Sequence, residues 1–156
     1  MASGFYSRGV LKGCNGAIDY DTSTLKVMLV DATYVYDPDH AVIDNAANDS
    51  TDPSFCEIVA TNYTGGYAGA GRKTATIAVS EQTASNRVIG VITDLTWTAL
   101  GGASNDTVAA GLLVQEVTND TASFLVAHFD VTDTPTNGSD FTLDFDGTNG
   151  NLRFTV

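Results

Sequence analysis

Short stretches of this chain alternate hydrophobic with polar residues, and turn-forming residues separate one stretch from the next. Leu25, Val27 and Leu29 alternate with Lys26 and two apolar residues, which is the two-residue period of a β-strand. The same period, or a short apolar run, predicts strands at 25–30, 56–60, 72–80, 87–93, 108–117, 123–131, 140–146 and 151–156. The pattern therefore indicates about eight short strands.

Two of these stretches, 87–93 and 108–117, are apolar on both faces, as expected for strands buried between layers. At the C-terminus, 140–146 and 151–156 each have one polar face and flank the Gly147–Gly150 turn. This spacing predicts a C-terminal β-hairpin with one face in solvent.

Two parts of the chain, the N-terminal segment and residues 37–57, lack a regular strand pattern. The first dozen residues carry a weak helical pattern of about two turns, so an ordered arm fits as well as a short helix. Residues 37–57 are polar and include Pro38 and Pro53, which predicts a long loop or short helical turns. We therefore predict an all-β fold. It is a β-sandwich or jelly-roll-like single domain of about eight strands over 19–156, preceded by the arm or short helix at 1–18.

Trp97 is the single tryptophan and follows the predicted strand at 87–93. We expect it to be a structural core residue or an anchor between sheets. The alternative is an exposed aromatic side chain at an interface.

The charge narrows the range of partners. Nineteen acidic residues against seven basic ones give a net charge of −12, and no window clusters Lys and Arg as phosphate binding requires. We therefore expect neither nucleic acid nor an anionic membrane as partner. The N-terminus lacks the apolar core of a signal peptide, which predicts a protein made in the cytoplasm.

The sequence offers little catalytic chemistry. His40 lies in a polar turn beside Asp37 and Asp39, and His128 lies in an apolar strand, so a solvated loop histidine and a core histidine are expected. No nucleophile elbow, phosphate-binding loop or zinc-protease motif occurs in the sequence. The segment 144–150 resembles a calcium loop but places Thr155 where a bidentate carboxylate belongs. We expect a protein that is not an enzyme, with no cofactor and no metal.

A glycine-rich stretch at 65–71 lies between two predicted strands and is expected to be a connecting loop, since no helix follows it. Two of the seven basic residues follow it directly, which makes this loop a candidate for contact with an acidic partner surface. Together with nearby exposed aromatic candidates, the predicted partner-facing loop residues are Tyr34, Tyr36, Tyr67, Arg72 and Lys73.

Four short sequence motifs, which we call phrases, occur in a recognisable order along the chain. Their residues are Asp19, Asp21, Thr22, Lys26, Val27 and Leu29, then Tyr34 or Tyr36 with Asp39 and His40, then Tyr63, Gly65 and Gly66, and finally Asp94, Thr96, Trp97 and Thr98. In these phrases and in its C-terminal segment, the chain resembles a family of small virion structural proteins of tailed bacteriophages. It departs from that family at 109–120, where a tyrosine-rich strand usually precedes an acidic loop.

The resemblance implies a structural component of the virion, of the capsid decoration or cement type. Such a protein binds the major capsid protein on the outside of the head. A homotrimer would bury the two-faced strands and hide their edges. The N-terminal segment is opposite in charge to the rest of the chain, and its predicted capsid contacts are Phe5, Tyr6, Arg8 and Lys12. Two alternatives stay open: a tail, neck or fibre-base component, and a carbohydrate-binding β-sandwich module.

Overall fold

The computed structural model describes residues 3–46, 51–148 and 150–155. They form ten short strands, one α-helix and one 3-10 helical turn at Thr83–Ser85. In chain order the elements are β1 (Gly4–Phe5), α1 (Ser7–Cys14), β2 (Leu25–Val30), β3 (Lys73–Ala75), β4 (Ile77–Gln82), β5 (Arg87–Ile92), β6 (Leu95–Leu100), β7 (Thr107–Gln115), β8 (Phe124–Pro135), β9 (Ser139–Leu143) and β10 (Leu152–Thr155). The prediction of an all-β single domain is confirmed.

The largest layer is an antiparallel sheet with the strand order β1-β8-β7-β2-β3. Its central strand β7 is buried from Val108 to Val114, because other parts of the protein cover both faces of the strand. The two-faced apolar pattern at 108–117 therefore predicted a central strand correctly.

Two smaller sheets complete the strand inventory of the described residues. One has the order β10-β5-β4, and the other pairs β6 with β9. The predicted C-terminal hairpin is wrong, because β9 pairs with β6 and β10 pairs with β5. Alternation of polar and apolar side chains indicates that one face of a strand is exposed to solvent, but it does not specify which strand pairs with it. Asn149 and Val156, which belonged to that prediction, lie outside the described residues.

Two apolar clusters cover the two faces of the five-stranded sheet. On one face, Val27, Leu29 and Leu113 join side chains of the smaller sheets, among them Ile92, Trp97, Leu143 and Leu152. On the other face, Met28 and Leu112 pack with Tyr6, Tyr34, Ile43 and Cys56. The arrangement is sandwich-like, with a further layer formed by N-terminal residues from Ser3 onward and by residues 31–46 and 51–56.

The strand predicted at 56–60 is also wrong. Of these residues only Glu57 forms an isolated bridge, to Val30, and Val59 N–H donates to the Asp106 carboxylate at 2.8 Å. The segment that precedes residues 56–60 forms a turn at Asp52. The Asp52 carboxylate accepts hydrogen bonds from the N–H and the hydroxyl of Ser54. Backbone bonds join residues 56–60 to the end of β2 around Glu57, where Asp31 N–H donates to the Cys56 carbonyl at 2.9 Å and Ile58 N–H donates to the Leu29 carbonyl at 3.1 Å. Beyond Ile58, the Asp106 carboxylate takes the place of a partner strand.

The strand predicted at 72–80 divides into β3 and β4, because the chain passes from one sheet to another at Thr76. At the N-terminus, α1 confirms the short helix and β1 precedes it as a two-residue edge strand on β8. Gly9 of α1 lies directly against β8, where an added Cβ would be 2.6 Å from Val126 Cα. Close helix-to-sheet packing therefore requires glycine at this position.

Candidate interaction surface

The N-terminal arm is part of the folded domain, and its four predicted capsid contacts do not share one surface. Tyr6 is 0% exposed, while Arg8 is exposed on α1. Lys12 is half-buried, with Nζ 4.6 Å from the centroid of the Phe124 ring. Phe5 is half-buried against Phe154, with ring centroids 4.9 Å apart. The expectation that Tyr6 faces a partner is corrected: its N–H donates to the Val126 carbonyl of β8 at 3.0 Å, and its side chain lies in the core.

Tyr6 belongs to a buried group of aromatic and histidine side chains. Its hydroxyl lies 2.7 Å from the Tyr34 hydroxyl, which lies 3.0 Å from His40 Nδ1. Tyr36 Oη donates to the Phe5 carbonyl at 2.8 Å, and its ring stacks on His128 at 4.7 Å. The group therefore fastens the segment 34–40 to the N-terminal arm.

Burial changes the chemistry expected of these tyrosines. It raises the pKa of Tyr6 and of Tyr34 far above the ordinary tyrosine value, so both hydroxyls stay neutral. Tyr34 is buried rather than partner-facing, which corrects the sequence-based expectation, while Tyr36 is half-buried. His128 is buried as predicted, and His40 is a half-buried loop residue bonded to Tyr34.

Arg72 is the second predicted contact that the structure buries. Its Nε and Nη2 donate to the two Glu57 oxygens at 2.9 and 2.7 Å, and its Nη1 donates to Asp120 Oδ1 at 2.6 Å. A further bond reaches Glu116 at 3.2 Å. Burial alone would lower the pKa of Arg72, but the bonds to Glu57 and Asp120 outweigh it and raise that pKa. Arg72 thus links segments inside the domain. The prediction that it contacts a partner is corrected.

This ion network shapes the glycine-rich loop that precedes Arg72. Glu57 accepts the Gly66 N–H at 2.8 Å, and Glu116 accepts the Ala68 N–H at 3.1 Å. The loop presents Tyr67, which is 43% exposed and donates from its hydroxyl to the Val117 carbonyl. Of the five predicted loop contacts, Tyr67 is therefore the one that the structure leaves clearly accessible.

Trp97 and Lys73 lie beside the same loop. Trp97 is 2% exposed, and its indole N–H donates to the Gly71 carbonyl at 2.6 Å, which confirms its structural core role. Lys73 is half-buried, with Nζ 5.8 Å from the Trp97 ring centroid. It therefore supports the packing around Trp97 from the outer side.

An apolar surface that the sequence analysis missed lies between the arm and the three-stranded sheet. Tyr20 donates from its hydroxyl to the Gly9 carbonyl of α1, and its ring lies 5.9 Å from that of Phe154. A shallow depression of about 250 Å³ lies beside these two rings, and Gly90 and Leu152 are among the residues that line it. We name this surface the arm–sheet face and define it by Phe5, Tyr20, Val79, Val88 and Phe154.

The arm–sheet face follows from the register of the three-stranded sheet. Val79 pairs with Gly90, Gly90 pairs with Leu152, and Val88 pairs with Phe154, so these side chains share one side of the sheet. Ile77 and Ile92 on that side are buried in the core, whereas Val79 is 40% exposed. The apolar side of the sheet thus extends beyond the core that covers it. The sequence signal for this surface was the two-residue spacing of Ile77 and Val79, and of Leu152 and Phe154.

Comparisons with known proteins add no relative. No protein-family model, no curated protein and no solved structure matches the chain. Within residues 3–46, 51–148 and 150–155, no group of three or more His, Cys, Asp or Glu side chains could hold a metal ion. The same residues contain no helix that is long and apolar enough to cross a membrane.

Proposed function

We propose that this chain is a structural protein of a tailed-phage virion, a decoration protein that binds the major capsid protein on the outside of the head and stabilises it. The proposal rests on the resemblance of its sequence phrases to small virion proteins. The arm–sheet face is the structural observation that supports it most directly. An apolar face of this kind beside a folded arm suits protein contact, since exposed apolar surface usually marks an interaction site.

The charge distribution is consistent with this role. The net charge of −12 keeps free copies apart before assembly, and it opposes binding to the packaged nucleic acid. Arg8 is exposed on α1, and Leu11 beside it is 56% exposed, so the arm offers a basic and an apolar side chain together. We propose that the arm, through these two residues, and the arm–sheet face carry the contact with the capsid.

A closed homotrimer at threefold positions of the head is part of this proposal. Symmetry multiplies modest contacts into firm attachment, because each further site binds at high effective concentration. Sedimentation equilibrium of the free chain and of chain eluted from heads tests the trimer. A monomer in both samples would contradict it.

Co-sedimentation of the purified chain with empty mature heads, and separately with tails, tests the function. We expect saturable binding to heads in a fixed ratio to the major capsid protein and no binding to tails. Heads with the chain bound should also withstand heating better than bare heads. Binding to tails alone would assign the chain to the tail, neck or fibre base, and binding to neither would overturn the virion role.

Surface variants locate the contact without disturbing the core. Leu11→Asp on α1 and Val79→Asp on the arm–sheet face should each weaken head binding by about tenfold or more, as for central interface residues. Val59→Asp is the matched control, because Val59 is 74% exposed and lies on neither element. Equal losses for all three variants would argue against these contact surfaces. A deletion of the arm is unsuitable, since it would remove Tyr6 from the core.

The carbohydrate-binding alternative has weaker support. Sugar stacking needs exposed aromatic rings, whereas Tyr34 and Tyr63 are buried and the Tyr36 ring lies against His128. Tyr67 is 43% exposed and is the one tyrosine of these four whose ring is open to solvent.

A further inference from the structure

Strand β4 has an open edge. It pairs with β5 from Ile77 to Gln82 without a register shift, and it is an outer strand of its sheet. No backbone hydrogen bond of the described residues meets its other side. The outer strands of the five-stranded sheet are shorter, since β1 has two residues and β3 has three. With six residues, β4 is long enough to accept another strand.

The ladder with β5 fixes which backbone groups point to that edge. Thr93 N–H donates to the Thr76 carbonyl at 3.0 Å, which makes this a hydrogen-bonded pair. Such pairs alternate along an antiparallel ladder, so Ala78 and Ser80 bond toward β5. The N–H and C=O groups of Val79 and Glu81 then point outward. Both residues are exposed, so these four groups are within reach of a partner.

The usual protections of an edge strand are nearly missing from β4. Edge strands commonly carry lysine, proline or a β-bulge that prevents pairing with another chain. Here the exposed run is Ala78, Val79 and Ser80, and Glu81 supplies the single charge. This edge is therefore suited to pairing rather than guarded against it.

The arm–sheet face lies on one side of this edge. In a strand added to β4, the residue opposite Val79 would place its side chain on the same side as Val79. That side chain would pack against Val79 at the outer border of the apolar surface that Val79 shares with Tyr20, Val88 and Phe154. Backbone bonds would then supply binding, and this apolar contact would select an apolar residue at that position.

The rim of the edge is acidic. Asp19 and Asp21 line a second depression, of about 380 Å³, together with Val79, and Glu81 follows two residues along β4. An incoming strand would therefore gain from basic side chains two residues before and after its apolar one, because these stay on the same side. A second copy of this chain, with its net charge of −12, is disfavoured at the same place.

We propose that the open edge of β4 binds an extended segment of a partner protein, in which basic side chains flank one apolar side chain at two-residue spacing. The segment adds as a fourth strand beside β4. This inference concerns the isolated chain and does not depend on which particle the partner belongs to.

The test uses a capped, fluorescently labelled peptide, Thr-Lys-Thr-Leu-Thr-Lys-Thr, whose symmetric pattern matches either strand direction. We expect saturable binding in fluorescence anisotropy, and binding at least about tenfold weaker when glutamate replaces both lysines. Amide hydrogen exchange should slow at Val79 and Glu81 on binding and stay unchanged at Ala78 and Ser80, whose amides already bond to β5. No saturation up to about 1 mM peptide would overturn the proposal.

Two variants at one position separate the edge from the depression. Val79→Pro removes an outward N–H that takes no part in the β5 ladder, so the fold should persist while peptide binding falls by about tenfold or more. Val79→Thr keeps that N–H and the β-branched shape, and should weaken binding less. Thermal melts check that both variants are folded. Unchanged binding by the proline variant would overturn the proposal. So would self-association of the chain that the same variant abolishes, since it would assign the edge to a second copy.

Discussion

Arg72 and Glu57 form a two-pronged ion pair inside the domain, with Nε to Oε1 at 2.9 Å and Nη2 to Oε2 at 2.7 Å. The Arg72 side chain is fully buried, and the Tyr63 hydroxyl donates to the same carboxylate at 2.8 Å. A single buried arginine thus joins the segment before the glycine-rich loop to β3. Removing Arg72 would leave Glu57 charged and poorly solvated, and removing Glu57 would leave the buried Arg72 with only the contacts to Glu116 and Asp120.

Glu57→Ala should therefore lower the free energy of unfolding by about 3 kcal/mol, as expected when one partner of a buried pair is removed. Urea denaturation measures this change. The double variant Glu57→Leu with Arg72→Met should lose less than the sum of the single variants Glu57→Leu and Arg72→Met, because each single variant already removes the interaction between the two residues. Asp133→Ala, at an exposed acid, is the control and should change the value by less than about 0.5 kcal/mol. Additive single losses would contradict the pair as the cause.

Glu116 makes the stability dependent on pH. Burial acts to raise the pKa of Glu116, but the hydrogen bonds from Lys26 Nζ, at 2.6 Å, and from Ala68 N–H outweigh it and lower that pKa. A carboxyl group with a lowered pKa in the folded state stabilises the fold above its unfolded pKa. This contribution disappears as the pH falls through the folded pKa.

Glu116→Gln should accordingly cost about 2 kcal/mol at neutral pH, and the difference from wild type should shrink as the pH falls below the ordinary glutamate range. Urea titrations at a series of pH values measure it. Lys26→Met removes the partner instead and should show the same narrowing. A difference that stays constant over this pH range would contradict the assignment.

Trp97 gives a direct optical test of the core. Trp97→Ala should cost about 3–5 kcal/mol, since it removes a large buried ring. Trp97→Phe should cost less, because it keeps an aromatic ring and loses the bond to the Gly71 carbonyl. Since this is the single tryptophan, acrylamide quenching of native wild-type fluorescence should be weak and should rise on unfolding. Strong quenching of the native protein would contradict a buried Trp97.

Gly9 and Gly147 form a matched pair of glycines. A Cβ at Gly9 would meet the Val126 backbone at 2.6 Å, whereas a Cβ at Gly147 would meet nothing within 4 Å. Gly9→Ala should destabilise the domain by about 1–3 kcal/mol through overpacking. Gly147→Ala should change stability by less than about 0.5 kcal/mol. Thermal unfolding of both variants measures the contrast, and equal effects would contradict close packing of α1 on β8.

Much of the fold could be predicted from local pattern. The stretches 25–30, 87–93 and 108–117 became β2, β5 and β7 with small shifts of boundary, because side-chain alternation is a property of each segment alone. The strand β6 was missed, although it carries Trp97. Its pairing with β9 shifts register between Trp97 and Leu100, and Ala99 has a positive φ of 50°. A bulge of this kind interrupts the period on which the prediction depends.

The candidate contact residues were harder to predict, because exposure depends on distant parts of the chain. Arg72 was expected at the surface because it is one of seven basic residues and directly follows the glycine-rich loop. Its ion pairs with Glu57 and Asp120 offset the cost of burying its charge. Tyr6 and Tyr34 are 28 residues apart and share a hydrogen bond that no local pattern indicates. The arm–sheet face likewise combines residues from β1, the turn at Tyr20 and three strands.

The sequence by itself determined the all-β class and the central position of β7, and it favoured a core position for Trp97. Each of these follows from composition or from the period of neighbouring side chains. The tertiary structure alone decided that β9 pairs with β6, that Arg72 points inward, and that β4 keeps an open edge beside an apolar depression. These features depend on contacts between segments far apart in the chain, where many pairings have similar local energies and only the packed whole selects one.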